Sequence, residues 1–284
     1  MDIGIQQITF ILILANLAMT YKGEEDPSFK RKYLFQVDAI LVGKEWIRMI
    51  SSGFLHSGWI HFLFNMFCLY SFGPAFTGMS VPYFLLIYFG SLIGGNALAL
   101  FIHRNHGNYS ALGASGAVSG IIFAAIVLDP FRSLYFFFIP IIAWLAGLLF
   151  VAYSIYGIRS QRDNIGHEAH LGGAIVGLLL FLLYAPGFIT KYPWVIAGMT
   201  IPVFIFLYLI ITRPEMLLIP GYWKKEASKV KNNLEIKRGG KAKTSTSKFK
   251  NVEEEINYYL DKGYENLSLK EKKRLEQLSR KTDE

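Results

Sequence analysis

Seven apolar runs crowd the first 212 residues: 4–21, 57–75, 82–102, 114–129, 134–156, 169–186 and 194–212. A helix that crosses a bilayer needs about 20 mostly apolar residues. Seven such runs with almost no charge inside them leave little room for a water-soluble fold, so the chain is expected to be a polytopic membrane helical bundle, all-α in class. The charge distribution agrees. Residues 1–212 hold 11 of the 29 Lys/Arg and 9 of the 21 Asp/Glu, and the rest lie in residues 213–284. The net charge of +8 therefore sits mostly in the tail and gives the apolar body no reason to bind nucleic acid. A single cysteine, Cys68, excludes an intrachain disulfide framework and a cysteine-based zinc site.

The runs divide the chain into a membrane-embedded body (1–212, core about 40–186), a basic linker (213–250) and a small helical segment (251–284). The first run lacks a basic leader and a small-residue cleavage site, so it is read as a retained helix rather than a signal peptide. Pro140 and Pro202 fall inside runs and are expected to kink them. Residues 21–48 read as an interfacial loop. In the tail, Val252, Ile256 and Leu260 recur at helical spacing, and Ser268 with Glu271 forms a capping box ahead of Leu275 and Leu278. Partner docking or contact with anionic lipid through its lysines are the expected uses of this tail.

Polar groups inside a bilayer are costly and tend to be functional. Three clusters stand at the starts of the second, fourth and sixth runs: His56, His61 and Asn65; Gly113-Ala114-Ser115-Gly116; and His167-Glu168-Ala169-His170. Alternate helices run the same way across the membrane, so the three starts share one side and can meet. Ser115 heads its run, where unpaired backbone N–H groups and the positive end of the helix dipole favour a developing oxyanion. Gly116/Gly120 and Gly173/Gly177 make small-xxx-small pairs that let two helices approach closely. His170 is the natural base for Ser115. His61 and Asn65, four residues apart on one helix face, suit oxyanion donors. A metal site on His167 and His170 is the rival reading, but His-Glu-Ala-His is one residue short of the H-E-x-x-H spacing. No metal or cofactor is therefore invoked.

The motifs H-S-G-W-I-H-F-L-F-N (56–65), G-A-S-G (113–116) and A-H-L-G-G-A-I-V-G (169–177) stand in the order and on the helices of a known family. The chain resembles the rhomboid intramembrane serine proteases. The resemblance implies a six-helix core, with the seventh run and the basic tail as additions. It implies Ser115 as nucleophile, His170 as base, and an oxyanion hole of His61, Asn65 and the Ser115 backbone N–H. His56, Gly113 and Gly116 support the site, and Arg48 matches the arginine of a first-loop Trp-Arg pair whose tryptophan is displaced to Trp46. Ser119 stands where bacterial relatives often carry a tyrosine that packs on the catalytic histidine, so that stacking must come from another residue. The implied substrates are transmembrane segments with weak helicity, because a peptide bond inside a formed helix is shielded. The other readings are a catalytically inactive relative that binds membrane clients, and a transporter. No internal repeat supports the transporter.

Orientation is pulled two ways. The loops after the first, third and fifth runs carry 9 Lys/Arg against 2 on the opposite side. Positive-inside counting would put that side, with the active site, in the cytoplasm. The resemblance puts the active site on the outer or lumenal side, and that orientation is preferred. The expected location is the cell (inner) membrane of a bacterium.

Overall fold

The computed structural model describes residues 4–136, 139–160 and 165–212, together with residues 255, 258, 259 and 271. The chain divides into two units, Met1–Ala227 and Ser228–Glu284. In the second unit the four described residues are helical and Tyr259 is buried. The expected linker and the rest of the expected tail hairpin lie outside the described residues.

The first unit is a helical bundle. Helix α1 (Ile5–Glu25) is followed by Asp26, whose carboxylate caps α2 (Pro27–Tyr33) by accepting from the Ser28 and Phe29 N–H groups, with Pro27 in the first turn. The loop expected at the interface folds into small pieces: strand β1 (Phe35–Gln36), α3 (Val37–Leu41) and α4 (Arg48–Ser51). Phe35, Val37, Ile40 and Met49 form a small core of their own with Ala99. Then come α5 (Trp59–Phe72), α6 (Val81–His103), β2 (Ser110–Ala111), α7 (Ser115–Leu128), strands β3 (Ser133–Phe136) and β4 (Ile139–Ile142), α8 (Ala143–Ser160), α9 (His167–Tyr184), α10 (Gly187–Lys191) and α11 (Pro193–Thr212). β1 pairs antiparallel with β2, and β3 with β4.

Each of the seven apolar runs carries a helix of 14 residues or more. Four of these, α6, α8, α9 and α11, are long and apolar enough to cross a membrane. The fifth run departs from expectation. Its first part is the β3–β4 hairpin, and the helix begins only at Ala143. Pro140 lies in β4 opposite Tyr135 instead of kinking a helix. A run of aromatic and β-branched residues suits a short hairpin as well as a helix, and Pro, which cannot donate, fits an edge strand better than a helix interior. Pro202 does lie inside α11.

α6, α7 and α9 make the centre. A Cβ at Gly173 would overlap the backbone of Gly116, one at Gly177 would overlap Gly120, and Gly95 lies against the Ala169 carbonyl. The two glycine pairs thus face one another, and the helices meet backbone on backbone. Outward faces stay apolar: on α5, Ile60, Leu63, Phe64 and Phe67 are exposed, and on α11, Phe204, Ile205, Tyr208 and Ile211. Continuous exposed apolar faces of this extent belong against lipid. α7 has only 14 residues. It rises about 21 Å, short of a hydrocarbon layer of about 30 Å, and its sides are covered by the longer α6 and α9.

Candidate active site

The loop leading into α7 ends in Leu112-Gly113-Ala114, and Ser115 is the first residue of the helix. Gly113 has φ of +132°, a conformation that favours glycine, and a Cβ there would come within 2.7 Å of the His61 ring and 3.6 Å of Ser115 Oγ. Glycine therefore serves twice, allowing the turn and letting the His61 ring lie beside the serine. Ser115 is half-buried. As first residue of the helix, its N–H is among those without an intrahelical partner.

Two histidines line the start of α5. His61 Nδ1 lies 3.0 Å from Ser57 Oγ. A hydroxyl donating to Nδ1 places the ring proton on Nε2, the nitrogen on the Gly113 side. His56 is fully buried. Its Nε2 accepts from the Ala114 N–H at 3.4 Å, and its Nδ1 lies 2.8 Å from Thr20 Oγ1. The only consistent assignment has Nδ1–H donating to Thr20, whose own hydroxyl donates to the Phe54 carbonyl at 3.3 Å. Burial, with the neighbouring His61 and Lys30 adding to it, pushes the His56 pKa down to about 3, so the ring is neutral. The His56 and His61 rings meet edge to face at 5.0 Å.

Asn65 is buried one turn deeper than His61, and its Nδ2 donates to the His61 carbonyl at 2.9 Å. That uses one of two amide hydrogens. Arg48 is not in this cluster. It is buried in the first loop, donating to the Arg31 and Leu34 carbonyls at 2.8 Å each and to Glu45 at 2.7 Å. Its reach is indirect: the helical turn it anchors continues into Ser52, whose carbonyl accepts from the Gly113 N–H at 3.0 Å. Trp46 is half-exposed.

On α9, His170 is half-buried and stacks on Phe150 of α8, centroids 5.9 Å apart and planes 26° apart. Phe150 thus provides an aromatic face for His170 where Ser119, buried in α7, cannot. His167 meets His170 edge-on at 6.1 Å and is itself buried against Tyr153 and Gly157 of α8. Glu168 turns away from His170 and bonds His103. Between the serine and histidine helices, a Cβ at Gly116 would lie 3.2 Å from the Ala169 carbonyl. The residues next to Ser115 and His170 are therefore in backbone contact. Thr20, Ser57 and Phe150 were not singled out from sequence; each is an ordinary residue type whose place in the site depends on distant packing.

The Rhomboid domain family matches residues 43–187. The chain is 35% identical over 148 residues to RHOMBOID-like protein 12, mitochondrial, of Arabidopsis thaliana, covering 46% of this chain and 44% of that protein. It is 31% identical over 157 residues to Rhomboid protein 1, mitochondrial, of Saccharomyces cerevisiae, covering 53% and 45%. It is 32% identical over 142 residues to YdcA of Bacillus subtilis, a protein named provisionally as a rhomboid protease, covering 49% and 67%. The chain thus spans under half the length of the first two relatives. With a family match over half its length, and helices long and apolar enough to cross a membrane around a serine- and histidine-bearing centre, this chain belongs to the rhomboid family.

Proposed function

We propose that the chain is an intramembrane serine endopeptidase that cleaves transmembrane segments of other membrane proteins. The observation that carries this reading is Ser115 at the head of α7, beside a His61 ring whose Nδ1 is engaged by Ser57. Ser115 Oγ attacks the scissile carbonyl while His170 takes its proton. The oxyanion receives hydrogen bonds from His61 Nε2–H, the second Asn65 amide hydrogen and the Ser115 N–H. His170 then protonates the leaving amine, and water resolves the acyl-enzyme. The backbone contact of Gly116 with Ala169 supports the pairing of these two residues, and the Phe150 face supports the orientation of the His170 ring. The short α7 supports a site sunk below the membrane surface, where a substrate helix must unwind to enter.

A bacterial cell membrane is the proposed location, with the site open to the outer face; the Bacillus subtilis relative, matched over 67% of its length, supports it, while the other two relatives are mitochondrial by name. The test is labelling of the detergent-solubilised chain by a fluorophosphonate, with cleavage of a transmembrane reporter in proteoliposomes. Wild type labels and cleaves, whereas Ser115→Ala and His170→Ala each do neither, and the double variant is no worse than either single one. Cleavage by Ser115→Ala ends the reading.

A further inference from the structure

Glu168 is a carboxylate in the first turn of α9, two residues before His170, with a side chain only 6% exposed. Its Oε1 lies 2.8 Å from Nε2 of His103, the last residue of α6, which is equally buried. Its Oε2 accepts from the Tyr109 hydroxyl at 3.4 Å. The Tyr109 ring lies flat on the His103 ring, centroids 3.6 Å apart and planes 8° apart, and His106 Nδ1 comes within 3.3 Å of His103 Nδ1. Burial and the Glu168 carboxylate together hold the Tyr109 phenol well above its ordinary pKa, so it stays a donor.

A buried carboxylate is costly unless its oxygens are satisfied, and one satisfied in this way ties its partners together. Here the partners belong to different parts of the site. Tyr109 stands in the loop that becomes Ser115 six residues later. The outer side of that loop is held by the first loop: the Val37 N–H donates to the Tyr109 carbonyl, and Phe35 and Gln36 pair with Ala111 and Ser110. Glu168 holds it from the α9 side.

We propose that Glu168 is a positioning residue: through His103 and Tyr109 it fixes the loop that delivers Ser115 against the helical turn that delivers His170. The proposal rests on the Ser115/His170 reading above. Glu168 touches neither reacting atom. It acts because an ionised carboxylate has acceptors only, so one oxygen holds the end of α6 and the other holds the loop. Displacing a reacting group by about 1 Å costs up to about 100-fold in rate.

The experiment follows Glu168→Ala, Glu168→Gln and Tyr109→Phe in the full chain. It reads the fluorophosphonate labelling rate at Ser115, kcat and KM on a transmembrane reporter, and melting temperature. Glu168→Ala is expected to slow labelling and lower kcat by about 10- to 100-fold per labelled site, with KM within about 2-fold. Glu168→Gln keeps one acceptor for one of the two donors, so it recovers part of the rate. Tyr109→Phe removes only a hydroxyl from the loop and slows labelling less. In the double variant with Glu168→Ala it adds nothing, since both act on one link. A Glu168→Ala protein with wild-type rates per labelled site and a lower melting temperature overturns the proposal, leaving Glu168 a structural clamp only. If Glu168→Ala does not fold, wild-type labelling kinetics in Tyr109→Phe overturn it equally. Failure of the wild type itself to label at Ser115 is a different result: it overturns the serine reading, and this proposal with it.

Discussion

His56 accepts from Ala114 and donates to Thr20, and both roles require a neutral ring. Its folded pKa near 3 lies below the ordinary value of 6.5. The unfolded chain therefore binds a proton more readily between those values. The stabilising contribution is complete above about pH 6.5 and declines as pH falls toward 3. The melting temperature in detergent should fall between pH 7 and pH 5, and His56→Gln, which keeps an acceptor and cannot titrate, should show a flatter dependence. Asn65→Ala removes one of the proposed oxyanion donors while His61 and the Ser115 N–H remain. Turnover should drop by no more than about 10²–10³-fold with KM little changed, measured on a transmembrane reporter, because the oxyanion exists only in the transition state. Ser115, His61, Asn65 and His170 were legible in the sequence as candidates because polar side chains at the starts of apolar runs are conspicuous. Thr20 and Ser57 were not: a hydroxyl bonding back into its own helix looks the same in sequence as one that fixes a histidine tautomer. Glu168 was visible as a charge, but its partner His103 is 65 residues away in the chain.

Among the elements, α6 joins the centre only in the structure, through Gly95 against the Ala169 carbonyl, whereas α7 and α9 were legible as a pair through their glycines, since small residues four apart on a membrane helix signal close approach. The β3–β4 hairpin was not, because a short apolar run of aromatic and β-branched residues has no period that separates strand from buried helix. The α7–α9 seam leaves no space for a side chain at Gly177, where Gly120 and Ser91 Oγ stand against it. Gly177→Val should lower stability by about 1–3 kcal/mol, or prevent folding, as overpacking does. Denaturation in mixed micelles would read this. α8 meets α9 through side chains instead, Phe150 on His170 and Tyr153 on His167. Phe150→Ala should leave the bundle folded and slow Ser115 labelling by about 2- to 10-fold, the worth of one ring contact of about 0.5–1.5 kcal/mol.

For the whole molecule, the division into units at Ala227 and Ser228 bears on the tail. Every residue placed in the proposed mechanism precedes residue 187. Removing residues 224–284 should leave fluorophosphonate labelling and reporter cleavage in detergent unchanged when normalised to folded protein. An inactive but folded truncation would make the tail part of the machinery. The other end behaves differently. α1 precedes the family match at residues 43–187, yet Thr20 supplies the acceptor that fixes His56 and, through it, the Ala114 N–H beside Ser115. In a lineage where position 20 lost its hydroxyl, the buried Nδ1–H of His56 would be stranded, so selection would act on residues 20 and 56 as one heritable unit. Variation in a helix outside the shared domain should then be paired, sequence by sequence, with variation at the centre of it.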